Sequence, residues 1–291
     1  MADVKIFTDS ASDLSDELYE THGIGVVPFY VTFDKKTYYK ERIDITIAEF
    51  FRRLKTDKNF PSTSLPSAVD YEDAFRPWLK EGKDVVCLCI SSKFSGSYQS
   101  AETAVAALKE EFPDRGIYAI DSLQASGGQG VTLMQLIKMR DAGYSAGQIK
   151  SEIERIKETS RVILTVDSLE YLQKGGRIGL VSAFAGALLQ IKPIIIQQEG
   201  ELHPVAKIRG RQKAIDKVID MTVEAVGAQK DDYDYIALNA DCYDEVAPME
   251  KKMKDMGFSF CTPIQDLGIT IGSHTGPSIA AVCFIKKWDA K

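Results

Sequence analysis

The sequence predicts an α/β protein of two domains: a three-layer α/β/α domain with a parallel sheet, then a smaller α/β domain with a mixed sheet. Three observations lead there. Short apolar runs alternate with helical patterns through the first half, which builds a parallel sheet covered on both faces. The pattern changes near residue 160, where a helix carrying Ile149, Ile153 and Ile156 gives way to Thr159–Ser160 and a fresh apolar run. Beyond that point KPIIIQQEGELHPVAKIRG reads as a hairpin turned at Glu199–Gly200, an antiparallel feature. The expected division is therefore 1–160 and 161–291.

The elements follow in order. Val4–Phe7 is a strand leading into TDSASDL. VVPFYVTF and KTYYKERI read as a two-stranded insertion around Asp34–Lys36, and STSLPS at 62–67 as a polar loop before a helix of Tyr71, Phe75 and Leu79. Val85 to Ile90 is an unbroken apolar run, as a buried parallel strand should be. It stops at Ser91, Ser92, Ser95, Gly96, Ser97 and Ser100, and a helix continues through Ala101, Ala104, Val105 and Leu108. Ligands of open α/β sheets bind at such carboxyl ends of strands. A loop of hydroxyls and backbone N–H, without carboxylate or histidine, suits holding an anion better than acid–base work. Ile117–Ile120 leads into DSLQASGGQG and a helix with Leu133, Leu136, Ile137 and Met139. In the second half, Val162–Val166, Tyr235–Asn239 and IAAVCFIKK read as strands, with helices at 211–226 and 244–256.

Composition excludes several classes. The 291 residues are 44% hydrophobic and 27% charged, ordinary for a globular chain, and the net charge of −6 leaves no basic footprint for nucleic acid. The five cysteines are an odd count, mostly inside apolar runs, which points to reduced, buried thiols in a cytoplasmic protein. MADVKIFTDS enters a strand at once, leaving no room for a signal peptide. The uncharged stretch Ile178–Ile191 has 14 residues, short of the roughly 20 of a membrane span, and is expected to be buried in protein.

The usual catalytic motifs are missing. There is no GxxxxGK[ST] and no GxGxxG after a strand; GGQG at 127–130 lacks the last glycine. With three histidines and no HExxH or CxxC, no metal site is expected, and Cys87 and Cys89 face one core. No GxSxG elbow is present, so a serine acyl hydrolase would have to pair Ser95 or Ser92 with His274 of SHTGPS. The Asp-Ser pairs at 9–10, 121–122 and 167–168 read as helix caps, with Asp9 and Ser10 best placed to line a site as well. His22 is expected to meet carbonyls at a helix end, and His203 to be solvated. In LEYLQKGGRIG, Gly175 and Gly176 suit a helix C-cap, and Arg177 stands at the mouth of an apolar run, as an anion with an oily tail would require. Arg209, in KIRGR, is another arginine beside a glycine.

Taken together, FTDSASDL, TSLPS at 63–67, ISSKFSGSYQSA at 90–101, IDS at 120–122, LEYLQKGGRIG, KPII at 192–195 and SHTGPS resemble the DegV family across essentially the whole chain. Leu65, Ser97 and Ser278 depart from the residues common in relatives. The resemblance implies a bacterial, cytoplasmic carrier with a long-chain fatty acid (palmitate, stearate or oleate class) in a tunnel between the two domains. It implies no catalysis by this chain alone, no cofactor and no metal. The partner would be a separate ATP-binding kinase subunit similar to dihydroxyacetone kinase, which converts the carboxylate to an acyl phosphate for phospholipid metabolism. On that resemblance Thr63, Ser64, Ser95, Gly96 and His274 would hold the carboxylate, and Phe184, Leu188, Leu189 and Ile194 would line the tail. Arg177 and Arg209 would dock the partner or offset charge. At about 0.8 kcal/mol per buried methylene, a palmitate-length tail would contribute on the order of 10 kcal/mol before ordering costs.

Overall fold

A computed structural model of the chain describes residues 3–57, 59–184 and 190–290, with backbone alone at 183 and 184. The first half runs Val4–Asp9 (β1), Asp16–Thr21 (α1), Gly25–Val27 (β2), Tyr30–Thr32 (β3), Tyr39–Lys40 (β4), Ile47–Thr56 (α2) and Ser62–Ser64 (β5). It continues with Ala68–Lys80 (α3), Asp84–Cys89 (β6), Ser97–Glu111 (α4), Ile117–Asp121 (β7), Gly127–Asp141 (α5) and Ala146–Ile156 (α6). The second half contains Arg161–Thr165 (β8), Glu170–Lys174 (α7), Ile191–Gln198 (β9), Glu201–Arg209 (β10), Arg211–Val226 (α8), Tyr233–Asn239 (β11), Tyr243–Asp255 (α9), Gln265–Asp266 (β12), Ile269–Thr275 (α10) and Ala280–Lys286 (β13).

A four-stranded parallel sheet in the order β2-β1-β6-β7 forms the first layer system. Its strands are apolar on both faces because helices cover both. On one face α3 and α4 close a core of Phe7, Tyr71, Phe75, Cys87, Cys89, Ala101 and Leu108. On the other lies α5, which also packs against β11 and β13 of the second sheet. A helix held between two sheets has no solvent face, and α5 is buried from Gly127 through Ile137.

That position explains GGQG. A Cβ on Gly127 would stand 2.6 Å from Cys283 Sγ, one on Gly128 2.6 Å from Val162 Cγ2, and one on Gly130 2.6 Å from the Ser12 carbonyl. These glycines let α5 approach both sheets closely. Gln129, between them, donates to Thr8 Oγ1 at 3.0 Å and to Asp9 Oδ1 at 2.9 Å.

The second sheet is mixed, in the order β10-β9-β8-β13-β11-β12. Its β9–β10 hairpin turns at Glu199 and Gly200, both with positive φ (53° and 83°), which the two-residue turn requires. Helices α8 and α9 cover one face around Ile163, Ile194, Val218, Tyr235 and Val282. The opposite face turns toward α5 and the loops of the first sheet.

Two expectations need correction. The insertion is not two-stranded: Pro28 splits VVPFYVTF, so that β2 joins the parallel sheet while β3 pairs with β4 and also with β5. Residues 62–64 are thus a strand and not a loop. Within the uncharged stretch, Val181 is buried but Leu180 is 54% exposed, and 185–189 lie outside the described residues. No helix among the described residues is long and apolar enough to cross a membrane.

Candidate functional site

A cavity of about 390 Å³ lies between the inner face of the second sheet and the loops at the carboxyl ends of the first. The second sheet contributes Val162 and Leu164 from β8, Gln197 from β9, Leu202 from β10, Leu238 from β11 and Ala281 from β13. Phe29, Ile90, Phe94 and Ala125 close it from the first half, and Ile271 of α10 from a third side. The strand alternation makes this wall: Ile194 and Ile196 point to α8, while Gln197 points inward.

Thr63, Ser64, Ser95, Arg177 and His274 gather at one cavity. It opens among them, since Ser64 and Arg177 are exposed and Leu65, which also lines it, is 40% exposed. Strand β5 places Thr63 opposite Val31 of β3, and Thr63 Oγ1 is hydrogen-bonded to His274 Nε2 at 2.9 Å. Burial, and then the charge of Arg177, push His274 down to about 4, so the imidazole is neutral near pH 7. The ring abuts Gly175, where a Cβ would stand 2.3 Å from Nδ1. Arg177 donates to the Gly175 carbonyl at 2.8 Å and to the Phe94 carbonyl at 3.3 Å, joining the KGGRIG turn to the serine loop.

The serine loop is fixed from below. Asp9, wholly buried, accepts from the Ile90 N–H, from Ser97 Oγ (both 2.9 Å) and from Gln129. Burial pushes its carboxyl up to about 6, against those hydrogen bonds. Ser91 Oγ donates to the Gly200 carbonyl at 3.0 Å, tying the loop to the β9–β10 turn. Ser95 Oγ accepts from the Ser97 N–H at 3.3 Å, which leaves its own hydrogen free to donate. Gly96 caps α4 beside it, with Leu65 at 3.4 Å from its would-be Cβ.

Other expected residues fall elsewhere. Asp9 and Ser10 do not line the cavity; both are buried, and Ser10 Oγ donates to Glu41 at 2.6 Å. Ile194 packs under α8 on the far face of the sheet, because its register opposite Thr165 sets it one residue out of phase with the inner wall. Arg209 is exposed at the end of β10 and is absent from the cavity wall. The side chain of Phe184, and Leu188 and Leu189 entirely, lie outside the described residues. His203 Nε2 is buried without a partner among the described residues, not solvated. At His22 the helix-end carbonyl is taken by Arg140 at 2.8 Å.

Helix α10, which carries His274, escaped the sequence reading. ITIGSHT is a weak helix former, rich in glycine and β-branched residues. Glu41 holds its first turn: the carboxylate accepts from the N–H groups of Ile269 and Thr270 and from Thr270 Oγ1 at 2.6 Å. Asp13 and Glu41 both abut Gly268, 2.2 and 2.8 Å from where its Cβ would stand. Burial, then the Glu41 charge, raise Asp13 to about 8.

The hydrolase alternative finds no support in this geometry. His274 Nε2 is engaged by Thr63 and not by a serine, and Ser92 is exposed and off the cavity wall. What fold and site define is an α/β protein with an apolar cavity between two sheets, opening among hydroxyl, imidazole and guanidinium groups.

The chain belongs to the DegV family, whose model, described as "Uncharacterised protein, DegV family", matches residues 3–287. A DegV domain-containing protein of Caldanaerobacter subterraneus subsp. tengcongensis is 32% identical over 287 residues, covering 99% of this chain and all of that one. Among solved structures, a stearic acid-binding protein from Eubacterium ventriosum superposes with a TM-score of 0.93 at 34% identity over the full length of both chains. A DegV family protein from Thermus thermophilus, described for its fatty acid binding, superposes with a TM-score of 0.88 at 32% identity, covering 97% of this chain and 99% of that one.

Proposed function

We propose that this protein binds one long-chain fatty acid of the palmitate, stearate or oleate class, with its tail in the cavity between an N-terminal domain (1–160) and a C-terminal domain (161–291). Thr63, Ser64, Ser95, Gly96 and His274 hold the carboxylate. The observation that carries this reading is a largely apolar cavity with Thr63, Ser64, Ser95 and His274 gathered at its solvent-facing mouth. The fatty acids bound by the similar proteins from Eubacterium ventriosum and Thermus thermophilus support it.

The protein then presents the carboxylate, in the bacterial cytoplasm, to a separate ATP-dependent kinase subunit similar to dihydroxyacetone kinase. Placing the head at the surface makes that division of labour workable. Hydroxyl and imidazole donors fix the carboxylate, and an oxygen they leave free stays nucleophilic toward a phosphoryl group. Arg177 stands where it offsets charge at the mouth. Arg209, exposed on β10, suits contact with the partner.

Denaturing the purified protein and analysing the extract by mass spectrometry tests the binding step; finding no fatty acid, together with no uptake of added palmitate or oleate, would refute it. The presentation step is tested by trapping acyl phosphate with hydroxylamine. Hydroxamate should form only when protein, ATP and the kinase subunit of the same organism are combined.

A further inference from the structure

Three buried polar side chains line the cavity, and two of them, Ser126 and Thr270, give their hydroxyls to Asp13 and Glu41. Gln197 is 4% exposed, lines the cavity from β9, and its Nε2 has no hydrogen-bond partner among the described residues. Its cross-strand neighbours Val162 and Leu202, which line the same cavity, are apolar. Ile195, two residues earlier on the same strand face, is also apolar. An amide kept there against a purely hydrocarbon tail would be left unsatisfied, a costly arrangement in a low-dielectric site. Two other buried atoms without a protein partner flank this wall. Gln124 Oε1 and Ser160 Oγ belong to residues joined by a 2.9 Å bond from Gln124 Nε2 to the Ser160 carbonyl, and Ser160 lies two residues before Val162.

We infer that Gln197 reads an oxygen carried on the acyl chain, so that the preferred ligand is a hydroxy- or oxo-substituted long-chain fatty acid. The inference rests on the fatty-acid reading above and sharpens it to a substrate class. A chain hydroxyl accepts from the Gln197 amide, and the carboxylate stays at Ser95 and Thr63.

The test is calorimetric titration of delipidated protein with stearate and with 3-, 10- and 12-hydroxystearate. At least one hydroxystearate should bind the wild type roughly 5- to 10-fold tighter than stearate, the worth of one neutral hydrogen bond. Gln197→Leu should abolish that preference. Equal wild-type affinities for stearate and every hydroxystearate would overturn the inference and leave the carrier reading standing. So would a preference that survives Gln197→Leu. Binding of none of the four acids would overturn both. The wild-type comparison decides even if the variant fails to fold.

Discussion

Asp13→Asn should make the protein more stable as pH rises from 6.5 to 8, relative to wild type. Asp13 follows the short turn Ser10–Ser12 with φ 50°, a left-handed conformation that asparagine tolerates. Ser126 Oγ donates to its Oδ2 at 2.5 Å, and an amide oxygen accepts the same bond. Burial and Glu41 raise the folded pKa to about 8, while an unfolded aspartate titrates near about 3.9. The stability linked to this proton is therefore complete below the unfolded pKa and is lost as pH rises through the folded one. Two other shifted groups add only small slopes in the window chosen, and the same ones in both proteins. Asp9, raised to about 6, has lost most of its proton by pH 6.5 and adds a little slope of the same sign. His274, lowered to about 4, has the opposite slope, which is half gone at pH 6.5 and fades above it as the unfolded imidazole deprotonates. Between pH 6.5 and 8 only the native state holds the Asp13 proton, nearly in full at first and half by pH 8, so the contribution of Asp13 falls by at most about 1.4 kcal/mol per pH unit, about 1.6 kcal/mol in all. In Asp13→Asn that slope disappears. Urea unfolding followed by the fluorescence of Trp78 and Trp288 measures it. Wild-type stability that is flat or rising across the window would refute the reasoning, as would parallel slopes in the two proteins.

Ser95→Ala removes one donor to a charged head group and should weaken palmitate binding by roughly 10- to 100-fold without lowering the melting temperature; unchanged affinity would reduce Ser95 to a helix-capping residue. Gly175→Ala places a Cβ 2.3 Å from His274 Nδ1 and should turn the ring away from Thr63. Proton NMR of the His274 ring should then show its pKa rising from about 4 toward the solvated value, with weaker acid binding. A wild-type pKa already near 6.5 would remove the case for a buried neutral imidazole.

The regular elements were legible because periodicity and punctuation agreed there. The helix expected at 211–226 is Arg211–Val226, and Gly200 supplied the turn at the expected place. The misses share one cause: structure that only tertiary contact makes. Strand β5 is three polar residues, STS, and is a strand only because Val31 and its neighbours pair with it. Helix α10 exists because Glu41, far away in sequence, holds its first turn. Ile194 and Gln197 show the limit of composition. In an apolar run such as KPIIIQQ, the choice of wall depends on register, and one position of phase sends a residue to the opposite face. The hydroxyl residues that meet at the cavity mouth were legible because hydroxyls and glycines clustered after strands are an unusual local signal; the residues of the cavity wall are ordinary core aliphatics that happen to border a space.

On the proposed reading the serine loop is a clasp and not a nucleophile. A nucleophilic serine needs a base aimed at it, and two candidates around the loop are both committed. Asp9 spends its oxygens on Ile90, Ser97 and Gln129, and His274 faces Thr63. Those commitments also immobilise the loop, so Ser95 presents a fixed donor without a base behind it. Affinity and position are thereby separated. Shortening the acid by four carbons should cost about 3 kcal/mol, at about 0.8 kcal/mol per methylene. That is at least as much as losing one charge-assisted hydrogen bond, about 1.5–3 kcal/mol. On the proposed reading, the tail decides whether the acid stays and the head decides where its oxygen points. Head-group substitutions should therefore impair transfer to a partner more than they impair retention of the acid.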